Sequence, residues 1–129
     1  MTHKTVFKLI VAGSSGFRDY ELLKQKCDAV LASKAADPDV VIQIVSGGAR
    51  GADTLGERYA KERGHLVKIF KADWDQGKMA GYVRNVAMAD YADALIAFDF
   101  GTKGTGHMIK IAETRKMLVR VVKCTPHTN

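Results

Sequence analysis

The sequence predicts an α/β protein with a five-stranded parallel sheet covered by helices on both faces. Short apolar runs alternate with amphipathic stretches of helical spacing, in the order βαβαβαβαβ. Runs such as Val40-Val41-Ile42-Gln43-Ile44-Val45 are apolar almost throughout, as strands buried on both faces must be. The connections are short and rich in glycine. Right-handed crossovers then give a doubly wound, Rossmann-like three-layer sandwich. No linker, repeat or low-complexity segment divides the chain, so residues 1–129 are expected to form a single domain.

Each element has its own signal. Residues 6–12 read as the first strand. Residues 19–33 carry Tyr20, Leu23, Cys27, Val30 and Leu31 at helical spacing, with Asp19 as the N-cap. Pro38 sits in the polar break before a second strand at 40–45. A helix over 52–63 turns Ala52, Leu55, Tyr59 and Ala60 inward and stops at Gly64. Residues 65–70 form a third strand, and the polar stretch 71–78 is a loop. A helix over 79–91 is expected to face inward through Val83, Val86, Ala87 and Tyr91. A strand at 93–98, a glycine loop at 101–106, a helix at 105–116 and a strand at 117–123 complete the sheet. The tail, 124–129, is expected to fray.

Composition narrows the function classes. The 129 residues are 47% hydrophobic, but no run approaches the roughly 18 apolar residues of a membrane span. The first residues show no signal-peptide layout, so the expectation is a cytoplasmic protein without membrane attachment. Cys27 and Cys124 lie far apart, outside metal-ligand spacing, and read as inert thiols. His3, His65 and His127 show no ligand spacing either, so no metal and no cofactor is expected. A net charge of +6 favours anionic partners. The basic residues form no run of five, so nucleic acid is not the expected partner.

In a doubly wound fold, ligands bind beyond the carboxyl ends of the strands. The most informative of the loops there is Ser46-Gly47-Gly48-Ala49-Arg50-Gly51-Ala52-Asp53. Glycines at 47, 48 and 51 allow positive φ and close approach of backbone to a ligand. The helix behind them directs its free N–H groups at the turn, which is a phosphate-type site. Arg50 adds bidentate reach. Gly13 and Ser14 open the first loop, which also holds Arg18. Trp74 and Lys78 lie in the third loop, beside Lys71, with Trp74 a candidate cover for a base. Lys103, Gly104 and Thr105 make a second phosphate-type turn. Arg84 and Asn85 fall one turn into the third helix, and six basic side chains are expected to converge on one rim. Asp19 and Asp53 can cap helices or accept from ribose hydroxyls, and His107 can donate to an anion or simply be solvated.

These loops resemble the YspA-type, cpYpsA-related branch of the SLOG superfamily, Rossmann-like relatives of the LOG phosphoribohydrolases and of DprA. The resemblance is carried by Val11-Ala12-Gly13-Ser14, Ser46 to Asp53, Ala72-Asp73-Trp74, Gly77-Lys78, Ala80-Gly81, Arg84-Asn85 with Met88, Ala92-Asp93, Lys103-Gly104-Thr105 and His107-Met108. Members often carry Arg directly after the first Gly-Ser, whereas Ser15 stands here and Arg18 follows. The resemblance implies a nucleotide or nucleotide-derived phosphorylated ligand, a role as sensor or processor, and a homo-oligomer.

In LOG enzymes an Arg on the third helix and a Glu after the Gly-Thr turn cleave the base from a nucleoside monophosphate. The resemblance places Arg84 at that Arg, but Met108 at that Glu. A carboxylate stabilises the oxocarbenium charge of N-glycoside cleavage, and Met cannot. The catalytic set therefore stays open, with Arg84, Asp53 and Asp19 as candidates. Ligand binding is the leading expectation. N-glycoside hydrolysis of LOG-like type and DprA-like nucleic-acid binding are the alternatives.

Overall fold

The computed structural model describes residues 4–125, so the expected frayed tail lies outside them from residue 126 onward. The chain runs β1 (Thr5–Gly13), α1 (Tyr20–Ala35), β2 (Val40–Ser46), α2 (Ala52–Arg63), β3 (Leu66–Ile69), a 3₁₀ turn (Trp74–Gln76), α3 (Ala80–Tyr91), β4 (Ala94–Asp99), α4 (Lys103–Thr114) and β5 (Leu118–Lys123). The sheet order is β3-β2-β1-β4-β5, with every pairing parallel. The chain therefore starts at the centre, winds out to β3, and returns to place β4 on the other side of β1. The β1/β4 seam is where the winding reverses, and there the loops on the two sides part to leave a crevice.

Alternation along β1 builds two cores. Leu9 and Val11 pack with Leu23, Cys27 and Leu31 of α1 and with Tyr59 of α2. Ile10 and Ala12 pack with Met88 of α3 and Met108 of α4 on the opposite face. Each fully buried aliphatic chain contributes roughly 1.5–3 kcal/mol, which holds the strand ends as a firm platform for the loops. Phe17 fixes the β1–α1 loop from below, fully buried with its ring 4.8 Å from that of Phe98.

The α1 and α2 boundaries follow their signals. Asp19 accepts from Leu22 N–H at 3.1 Å as the α1 cap, and Gly64 ends α2 at φ +73°. Two expectations need correction. The inward face of α3 is Ala80, Asn85, Met88 and Ala89, while Val83 is 62% exposed and Val86 is also exposed. Two faces of this helix carry apolar residues, and the polar Asn85 disguised the one that packs. The third strand, expected at 65–70, covers only Leu66–Ile69, and it is exposed along its whole length at the sheet edge.

Candidate functional site

At the β1/β4 seam, loops from both sides of the sheet enclose a hollow of about 240 Å³. Ser14 and Ser15 come from the end of β1, and Ala49 and Asp53 from the start of α2. Arg84, Asn85 and Met88 come from α3, and Thr102, Gly104, Thr105 and Met108 from α4.

The β2–α2 turn is tied together from within. The Ser46 hydroxyl donates to Glu57 Oε2 at 2.6 Å and accepts from Gly48 N–H at 3.0 Å. Ala49 N–H donates to Asp53 Oδ2 at 3.3 Å. Ala52 N–H donates to the Ser14 carbonyl at 3.4 Å, which joins the turn to the β1–α1 loop. Gly51 makes that approach possible: its φ is +76°, and a Cβ there would lie 2.3 Å from the Ser14 oxygen. Gly47 has no positive φ, contrary to expectation; its need is space. A Cβ on it would lie 2.7 Å from both Arg84 Nη1 and Asp53 Oδ2, so the bare glycine lets these groups flank the same point.

Arg84 is held by neutral acceptors. Its Nη1 donates to the Gly47 carbonyl at 2.6 Å and its Nε to Asn85 Oδ1 at 3.1 Å. Because Nε can only donate, Asn85 must present its oxygen to Arg84. The Asn85 amide nitrogen then faces the Gly104 carbonyl at 3.4 Å and His107 Nδ1 at 3.2 Å. That makes Nδ1 an acceptor and leaves the His107 proton on Nε2. Burial, which also holds the His107 pKa below its usual value, favours the same neutral ring. The ring packs on Tyr82, with centroids 4.2 Å apart.

Asp53 is 6% exposed. Burial raises its pKa to about 6, against the opposing pull of the Ala49 N–H and the Arg84 charge. The α4 side of the cleft is open by contrast. No side chain caps α4, and the Thr102 hydroxyl donates to Thr105 Oγ1 at 3.0 Å. A Cβ on Gly104 would meet nothing within 4 Å. Met108 is buried in the floor of the hollow.

The site residues singled out in the sequence divide into groups. Gly13, Ser14, Asp53, Arg84, Asn85, Gly104 and Thr105 come together around the hollow. Gly13 is also needed for packing, since a Cβ there would sit 2.6 Å from the Phe98 carbonyl oxygen. Ser46 and Gly47 lie beneath the hollow as buried supports. Gly48 is on an exposed shoulder near Ile69 and Lys71. Arg18, Arg50 and Gly51 line a separate hollow of about 330 Å³. Trp74 is 64% exposed and leans on Gly81, away from the cleft lining. Lys78 and Lys103 are exposed and also outside that lining. The expected convergence of six cations is thus corrected: Arg84 alone of them lines the central hollow. Ala49 and Arg50 show the division: adjacent in sequence, they line different hollows.

Asp19 is committed to the α1 cap and does not line the hollow. Asp99 accepts from Gly101 N–H at 2.7 Å and from Lys123 Nζ at 3.3 Å. Asp53 is the carboxylate of the central lining. Sequence reasoning missed Ser15, Ala49 and Thr102 as lining residues; Thr102 could have been found as the residue preceding an α-helix start.

Fold and cleft together define the class: a Rossmann-like α/β protein whose crevice lies at the reversal point of a parallel sheet. Residues 7–77 match the YAcAr family model, the YspA, cpYpsA-related SLOG family. The chain belongs to that family and is a nucleotide-related Rossmann-like protein. It is also similar to the Gene 61 protein of Mycobacterium phage D29, 40% identical over 78 residues. That match covers 54% of this chain and 62% of the phage protein, so it spans less than two thirds of that relative. The X-ray structure of TM1055 superposes with a TM-score of 0.63 at 20% identity, over 88% of this chain and 72% of that one. At that identity the likeness speaks for the shared fold.

Proposed function

We propose that the protein binds a nucleotide or nucleotide-derived phosphorylated ligand in the β1/β4 hollow, as a sensor or processor of such molecules. The observation that carries this reading is the uncapped start of α4, open at Gly104, on the same hollow as the Arg84 guanidinium. Free helix N–H groups and a guanidinium held by neutral partners are matched to a phosphate. Asp53 then accepts from a ribose hydroxyl. A thermal-shift series with AMP and ribose 5-phosphate tests the reading. Stabilisation by either, lost in Arg84→Ala, is the expected result. No stabilisation of the wild type by either compound overturns it.

One observation favours a second reading, an N-glycoside hydrolase. Asp53 is a buried carboxylate close to an arginine, in the same hollow as Met108, the residue that replaces the LOG-type Glu. Ionised above about pH 6, Asp53 could stabilise positive charge at the sugar. Chromatographic detection of free base released from a nucleotide panel, absent in Asp53→Asn, would support it. Self-association, implied by the resemblance, belongs to the same proposal and is read by sedimentation velocity. Among the described residues no helix is long and apolar enough to cross a membrane.

A further inference from the structure

We infer that the ligand is a dinucleotide-type molecule with two phosphoryl groups separated by a sugar, one seated in the β1/β4 hollow and the other in the Arg18/Arg50 hollow. The inference rests on the phosphate-binding reading of the central hollow and extends it. Ser15 lines both hollows, so they adjoin across the β1–α1 loop. The divider is backbone: Ser14 and Gly51 are in direct contact there. Ala49 lines the central side of this wall, and the next residue, Arg50, lines the far side. The cationic groups are thereby split, Arg84 to one side and Arg18 with Arg50 to the other.

The far hollow, about 330 Å³, is the larger of the two and is lined by no carboxylate. Arg50 is exposed and makes no hydrogen bond or ion pair among the described residues. Ser15 adds a hydroxyl at its edge, whereas the Thr54 hydroxyl is committed to the Ala49 carbonyl at 2.7 Å. A third hollow on the other side of Arg84 is a poorer second seat, because it shares Arg84 with the central hollow and its other cation, Lys71, stands beside Asp73. Two phosphates sharing a bridging oxygen are too close to occupy seats on opposite sides of a backbone wall. A phosphodiester-linked nucleotide supplies the missing span, its sugar crossing over Ser15.

Titration calorimetry with the full chain at one salt concentration tests this, using AMP, ADP-ribose and the 5′-phosphorylated dinucleotide pApA. Wild-type protein should bind pApA at least about tenfold more tightly than AMP, the scale of one charge-assisted contact to phosphate. Arg50→Ala should remove that advantage and leave AMP within about twofold, while Arg50→Glu should push pApA below AMP. Arg84→Ala should weaken all three. The inference is overturned if Arg50→Ala affects AMP and pApA alike, or neither. It is overturned if ADP-ribose shows the Arg50 dependence in place of pApA. An affinity that keeps climbing from pApA to an eight-nucleotide oligoadenylate also overturns it, in favour of nucleic acid. Failure of the underlying phosphate-binding reading looks different: none of the three probes binds the wild type.

Discussion

Two strand-to-helix turns of similar composition border the cleft, and they do opposite jobs. The β2–α2 turn uses its polar groups internally: Ser46 on Glu57 and Gly48, Ala49 on Asp53, Ala52 on Ser14, and the Gly47 carbonyl on Arg84. Neither α2 nor α4 has a side-chain N-cap, but the first N–H of α2 is taken by the Ser14 carbonyl, whereas the start of α4 has open space at Gly104 and Gly106. One turn is a frame that holds a carboxylate and a guanidinium in place. The other is the open side of the hollow. Glycine marks both, for different reasons: in the frame it avoids collisions, and at the open turn it keeps room.

Substitutions should separate the two turns. The largest effect is expected at Gly51→Ala, where the new Cβ meets the Ser14 oxygen at 2.3 Å and φ is +76°. Strain and collision together should cost about 4 kcal/mol or more in urea unfolding. A milder loss would mean that the frame can relax.

Asp53→Asn comes next and depends on pH. Folded Asp53 keeps its proton up to about pH 6, whereas its unfolded value is 3.8. The folded state binds the extra proton between those values, so stability falls as pH rises through that window. Removing the ionisable group should flatten this slope and raise stability at pH 8 by up to about 3 kcal/mol. Urea midpoints at pH 4 and pH 8 read it directly.

Ser46→Ala leaves a carboxylate and an N–H without their partner and should cost about 2 kcal/mol in the same assay. Gly104→Ala should be the smallest, neutral or stabilising by at most about 1 kcal/mol, because helix propensity rises and nothing is struck. Its methyl group should nonetheless weaken AMP binding, as no substitution of similar mildness in the frame can. Equal stability losses at 51 and 104 would erase the distinction between the turns.

The fold was largely legible because the signals were local. Continuous apolar runs marked the strands, and Asp19 and Gly64 marked helix ends by side-chain and backbone chemistry that acts locally. The face of α3 was not legible. Val83 and Val86 advertised an apolar stripe, yet Asn85 turned inward to bridge Arg84, Gly104 and His107. A buried polar residue whose partners lie on another helix cannot be recognised from spacing alone. For the same reason Ser46 looked like a ligand contact, although its hydroxyl is committed to Glu57 eleven residues on.

By itself, the sequence determined the parallel sheet, the order of its elements and the loops that carry charge and glycine, because periodicity and turn chemistry act over a few residues. Only the tertiary structure decided which side of a backbone wall each group occupies. It set Arg84 and Asp53 around one hollow, sent Arg50 to another, and made one glycine turn rigid and the other open. The reason is that adjacent residues of a turn, such as Ala49 and Arg50, reach different hollows, and only the packing of the neighbouring strand and helix determines what each one meets.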